Sequence, residues 1–300
     1  MAVHQPLEPK LFHVSAKASA DPRLSLLEIL RQVYDSPILK PPMPYDANAL
    51  LSARIKSTLT DERLEEIQRI CSQFCVDDSL GELEFDKKLE ECIWVSTLLL
   101  FATGREGRRP RLDFFLMHLV TSSLLMKPFL EVLKNPSHKA ELLRAYLPLM
   151  IAVIMSRGRP VIKPDLLMSY SDVPRPPQPL AEPHKTAIGN PRDDNSYNPW
   201  PALIESSLYA PDAHVLKTLR TLIFAARKYG DTPAGGAIGA FLSKDSNKES
   251  HIGTSKMDGS IFVRAAGMLL NSMGWVNYGQ EAKEWDRSAL GWDEAWQTGE

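Results

Sequence analysis

Three hundred residues with 44% hydrophobic content carry enough apolar mass for one large domain or two small ones. A formal charge of −2, with lysines and arginines dispersed among the acids, excludes the electrostatic footprint of a nucleic-acid-binding protein. Three cysteines without secretory features argue for free thiols in a reducing compartment, and Cys71-x-x-x-Cys75 lacks the histidines or second pair of a zinc site. No basic or histidine neighbour stands ready to activate a thiol. The N-terminus carries no basic segment followed by an apolar one, and the longest apolar stretch, residues 142–155, is short and interrupted by Arg144, Tyr146 and Pro148. The expectation is a cytoplasmic protein with neither nucleic acid nor membrane as partner.

Residues 1–23 read as an irregular arm containing His4 and His13, and Asp21-Pro22 predicts a helix start with Leu24, Leu26, Leu27, Leu30 and Val33 facing inward. Pro37, Pro41, Pro42 and Pro44 end it. Further helices are predicted over 46–57 and over 61–75, the latter with its acids in the first turn. In a helix over 85–102, Leu89, Cys92, Ile93, Leu99 and Leu100 point inward, with Glu90 and Glu91 near the edge. The basic turn from Gly104 to Pro110 leads into residues 112–123, whose apolar side chains point in every direction and so predict a fully buried helix. On it His118, Thr121 and Ser122 share a stripe with Phe114 and Leu125. A buried imidazole over hydroxyls is either a satisfied core network or a site.

A long helix over 137–155 tolerates Pro148 as a kink, and Ser156-Arg-Gly-Arg-Pro160 is a charged stop. Proline density then rises through residue 211, a composition that cannot hold helices and predicts a structured excursion over 156–211, pinned by Tyr170, Tyr197, Trp200 and Leu203. Asp212 is a natural N-cap for a helix ending at Tyr229-Gly230. Its second stripe, His214, Lys217, Thr221, Phe224 and Ala225, is half apolar, so Lys217 is either partly desolvated or an ordinary snorkelling lysine. A last helix runs from a Ser260 cap toward Trp275, with Arg264 among small residues, followed by Trp285, Trp292 and Trp296. Those tryptophans either pack the tail against the body or line a pocket for a flat ligand. No run of alternating strand residues appears. The predicted class is all-α, one large helical domain over 24–300.

Five motifs in register resemble the questin oxidase-like family of fungal oxidoreductases in aromatic polyketide biosynthesis: Glu90-Glu-Cys-Ile-Trp94, Arg111 to Ser123, Arg157-Gly-Arg-Pro160, Asp212-x-His-x-x-Lys217, and Trp285-Asp-Arg-Ser with Gly-Trp-Asp-x-Ala-Trp296. The resemblance spans about Leu24 to Trp296. It implies oxidative cleavage of an anthraquinone ring, either as Baeyer-Villiger chemistry with NADPH and O2 or as non-haem Fe(II) dioxygenation. In the iron version His118 is implied as a ligand with Thr121 its hydroxyl neighbour, Lys217 as a carboxylated lysine ligand, and His214 as a supporting residue. The aromatic polyketide would lie against Phe114, Phe115 and Trp275. Such relatives carry a further N-terminal helical region with paired histidines, a pattern that His4 and His13 do not reproduce. The other reading is a catalytically impaired homologue that binds a polyketide or partners an enzyme, with self-association possible through an exposed face. The glycines of Gly235-Gly236-x-x-Gly239 follow no strand, so no dinucleotide-binding fingerprint is present.

Overall fold

The computed structural model describes residues 9–12, 23–41, 43–177, 182–190 and 192–297. His4, His13, Asp21-Pro22, Pro42, Pro179 and Pro191 lie outside the described residues. Ten α-helices occur among those described: α1 (Leu26–Asp35), α2 (Leu51–Thr58), α3 (Asp61–Cys71), α4 (Glu82–Phe101), α5 (Phe114–Val132), α6 (Pro136–Ser156), α7 (Pro164–Met168), α8 (Trp200–Leu208), α9 (Ala213–Tyr229) and α10 (Ile261–Met273). The class is all-α. One small antiparallel hairpin, β1 (Phe241–Leu242) with β2 (Asp245–Glu249), was not anticipated, because Asp-Ser-Asn-Lys-Glu contains no apolar alternation to reveal it.

Local chemistry sets the helix limits. α1 starts at a reciprocal capping box between Ser25 and Glu28, three residues beyond the proline signal. Asp46, expected to open α2, instead accepts the Asn48 N–H in a turn, and the helix begins five residues later. Cys75 lies past the end of α3. The proline-rich excursion does hold two short helices, α7 and α8, contrary to expectation. Each places its proline in the first two positions, where the missing N–H has no helical partner to lose. Ser260 precedes α10 without capping it, since its hydroxyl is engaged with Asp258 and Arg264.

α4 is the central element, packing on α5, while α5 packs on α9 and α9 on α10. One contiguous apolar core runs through these helices and on to Trp285. Glu91, expected near an edge, is buried, its carboxylate held by Lys88 Nζ at 2.9 Å and the Leu26 N–H at 2.6 Å. Cys71 and Cys92 are buried free thiols, and burial pushes Cys92 up to about 12. α5 departs from the expected full burial. Its outer side leaves His118, Leu125, Phe129 and Val132 exposed, because the helix lies at the border of the core. It is long and apolar enough to cross a bilayer by length and composition alone, with 39% of that window buried.

The C-terminal segment folds back across the front of α5 and α6, and Trp275, Trp285, Trp292 and Trp296 are all buried. Asp286 forms a parallel bridge beside Asp113: the Phe114 N–H donates to the Asp286 carbonyl, and the Asp286 N–H to the Leu112 carbonyl, both at 2.8 Å. Beneath it Arg157, read from sequence as part of a charged stop, is buried. Its Nε donates to Asp113 Oδ2 at 2.8 Å, a second nitrogen to the Arg287 carbonyl at 2.9 Å, and its guanidinium lies 4.6 Å from the Phe115 ring centre. Asp113 in turn caps α5, accepting the Phe115 and Leu116 N–H groups. Burial raises the Asp113 carboxyl pKa, and Arg157 and those two N–H groups oppose the rise. Gly158 has φ +81, and the Trp292 ring occupies the space a side chain there would need.

Removing one member of a buried ion pair strands the other charge without compensation, at a cost of about 3–5 kcal/mol. Arg157→Met is therefore expected to lower unfolding free energy by roughly that amount in urea titration. Lys127→Met, which breaks the exposed i,i+4 pair with Glu131, is expected to change it little. Equal, small effects for the two substitutions would contradict the role given to the buried pair.

Candidate functional site

The first turns of α5 and α9 come together so that Phe114, His118 and His214 stand side by side. The Phe114 ring centre is 4.8 Å from that of His118 and 5.3 Å from that of His214, and the two imidazole centres are 5.2 Å apart. Both histidines are fixed through Nδ1. His118 Nδ1 is 2.8 Å from the Phe114 carbonyl oxygen, and His214 Nδ1 is 2.7 Å from Asp212 Oδ1. A carbonyl or carboxylate can only accept, so in each neutral ring Nδ1 carries the proton and Nε2 the lone pair. Asp212 has two tasks, since the same oxygen caps α9 through the His214 N–H.

Electrostatics favour that protonation state at His118. Partial desolvation lowers its pKa below the ordinary 6.5, and nearby His214 and Lys217 push it the same way against the Phe114 carbonyl. The Asp212 carboxyl is also lowered, by its bonds to His214 and by the neighbouring Trp285 indole N–H, which outweigh desolvation. The Arg287 guanidinium covers Phe114 at 3.7 Å from the ring centre. Lys217 is exposed, so the desolvated lysine weighed from the sequence is not found. The expectation that His118 is buried fails as well: its outer edge meets solvent.

The remaining site residues divide. Phe114 and Phe115 are half-buried at the seam, their rings 5.3 Å apart. Thr121 lies one turn beyond His118 and returns its hydroxyl to the His118 carbonyl at 3.3 Å. Ser122 faces α6 instead, sharing a 2.7 Å hydrogen bond with the Tyr146 hydroxyl. Trp275 is fully buried at the end of α10 with its indole N–H given to Asn271, so it offers no surface to a ligand. Sequence reasoning did not single out Arg287 or the tie from Arg157 to Asp113, because the partners are separated by 44 residues and more.

Metal-binding histidines are usually oriented by an acceptor on the second nitrogen, and both seam histidines meet that condition. They supply two donors only. Among the described residues no group of three or more His, Cys, Asp or Glu side chains is placed to hold a metal. The seam therefore does not make a complete iron centre from these residues, and the two-stranded hairpin is not a dinucleotide-binding βαβ unit.

A separate cavity of about 670 Å3 opens between α1, α7 and the turn at 250–252, and includes none of the seam residues. His251, only 8% exposed, lines it with Tyr34, whose ring stands edge-on at 5.7 Å. No periodicity marked His251, which lies in an irregular turn. Burial holds its pKa below 6.5, so as pH falls the unfolded chain takes up a proton before the folded one does. The stability owed to the neutral ring is present above pH 6.5 and is lost as pH falls toward the folded pKa. Unfolding free energies at pH 7.5 and about pH 5.5 should differ less in His251→Phe than in the parent chain; an unchanged difference would remove His251 from the acid response.

The family model described as questin oxidase-like matches residues 1–222, which takes in the seam from α5 through the His214 turn of α9. The match ends before the C-terminal tryptophan segment. No curated protein matches the chain.

Proposed function

The chain belongs to the questin oxidase-like family, a membership that points to an oxidase-type oxidoreductase of secondary metabolism, and from that premise we propose oxidative ring cleavage of a hydroxyanthraquinone-type aromatic polyketide at the seam of α5 and α9. The observation that carries this reading is the pair of imidazoles fixed through Nδ1, with Nε2 left to accept a proton. A phenolic hydroxyl placed there loses its proton to His118 or His214. The resulting phenolate is electron-rich, and the cations Lys217 and Arg287 favour it over the phenol. Phe114 supplies an aromatic wall for the ring. O2 would be the oxidant; in the Baeyer-Villiger version one of its oxygen atoms would enter the ring, and NADPH, if bound, would supply the two electrons that take the other to water. Iron, in the alternative version, would take His118 and His214 as two of its ligands and would need further donors, among them Lys217 if carboxylated. Its chemistry would be the activation of oxygen.

The two-donor set also favours a second reading, in which the chain holds a polyketide or partners an enzyme without turning over. Oxygen uptake separates the two. Purified protein supplied with ferrous iron, bicarbonate and NADPH is offered a hydroxyanthraquinone, beside folded His118→Ala and His214→Ala variants. Loss of a proton acceptor is expected to lower the rate by about 10²-fold or more, and the acid limb of the parent profile should lie below pH 6.5, as the lowered His118 pKa requires. Uptake unaffected by both substitutions would move the chemistry away from the seam. Ligand binding without any uptake would select the second reading.

A further inference from the structure

We propose that the cavity between α1, α7 and the 250–252 turn is a second ligand site, built for a neutral, mostly apolar molecule that donates one hydroxyl hydrogen bond to His251 Nδ1. The inference does not rest on the chemistry assigned to the seam.

His251 Nε2 is 2.8 Å from the Leu27 carbonyl oxygen, which can only accept, so the neutral ring carries its proton on Nε2 and its lone pair on Nδ1. That lone pair has no protein partner, and Nδ1 is not sealed from solvent as the orphaned buried atoms of the fold are. His251, more than nine-tenths buried, thus lines a cavity of about 670 Å3, within the size range of small-molecule sites, and keeps one unspent acceptor on its ring. Two polar side chains beside it are already engaged. Tyr34 gives its hydroxyl to the Pro160 carbonyl at 2.8 Å and so presents only its ring. Arg31 holds the Ser250 carbonyl at 2.8 Å and pairs with Asp35 at 3.4 Å.

Val161, Ile162, Leu166 and Ile252 supply the apolar walls, with Val161 and Ile252 left exposed at the rim. Two cations, Arg31 and Lys163, are outnumbered by the carboxylates of Asp35, Glu106 and Asp165, which disfavours an anionic ligand. Apolar walls, a lip with more carboxylates than cations and a buried acceptor select a neutral molecule with one donor.

Titration calorimetry with 2-naphthol, its methyl ether and 2-naphthoate tests this on the full chain. Naphthol should bind, and the ether, lacking the donor, should bind about tenfold more weakly. His251→Phe keeps the ring volume and should reduce naphthol to the affinity of the ether while leaving the ether unchanged. Leu166→Trp fills the cavity and should abolish both, whereas His118→Ala should alter neither, which separates this site from the seam. Equal affinity for naphthol and its ether, tighter binding of the naphthoate, no binding of naphthol, or loss of binding in His118→Ala would each overturn the proposal. The comparison of probes on the parent chain decides the matter even if His251→Phe fails to fold.

Discussion

The ion pair between Asp113 and Arg157 is the constraint on which the seam depends. Each group is buried, and neither would be tolerated there as a lone charge. The pair joins three things at once: the N-terminus of α5, which Asp113 caps; the C-terminus of α6, from which Arg157 extends; and the C-terminal segment, whose Arg287 carbonyl Arg157 holds. With the start of α5 fixed in this way, Phe114 and His118 are held against His214 of α9. The backbone bridge from Asp286 reinforces it and sets Arg287 over Phe114.

Asp212 repeats the same economy at the other side of the seam. One carboxylate oxygen closes the start of α9 and orients His214, so helix termination and imidazole tautomer are decided by a single residue. The seam is thus preset by groups that also hold the fold, a rigid arrangement suited to directing proton acceptors. The His251 cavity is built on different elements, α1, α7 and an irregular turn. Its acceptor is fixed by the Leu27 carbonyl and owes nothing to Asp113 or Arg157.

Much of the helical framework was legible because helices announce themselves locally. Asp212 and Gly230 bracket α9 as read, and the apolar period located α4 and α6 to within a few residues. Signals that depend on distant partners were not legible. The apolar residues over 112–123 could not reveal that one side of α5 has no neighbour, so His118 read as interior although it is exposed. Arg157 had the composition of a solvated turn, and only the folded chain brings Asp113 and the Arg287 carbonyl to it. Glu91 misled in the same way: Lys88 is a local i,i+3 partner on α4, but the Leu26 N–H reaches the carboxylate only when α1 docks there. For the site, the motif Asp212-x-His-x-x-Lys217 placed two residues together on one turn, but the exposure of Lys217 and the approach of His118 are tertiary facts.

Nitrogen-15 NMR of the imidazole rings, assigned with His118→Gln and His214→Gln, measures the central claim most directly. The hydrogen bonds described here predict that the neutral form of both rings is protonated on Nδ1, and that His118 is neutral at pH 7. A neutral tautomer protonated on Nε2 at either histidine, or a His118 ring still charged at pH 7, would contradict a seam preset with two proton-accepting nitrogens.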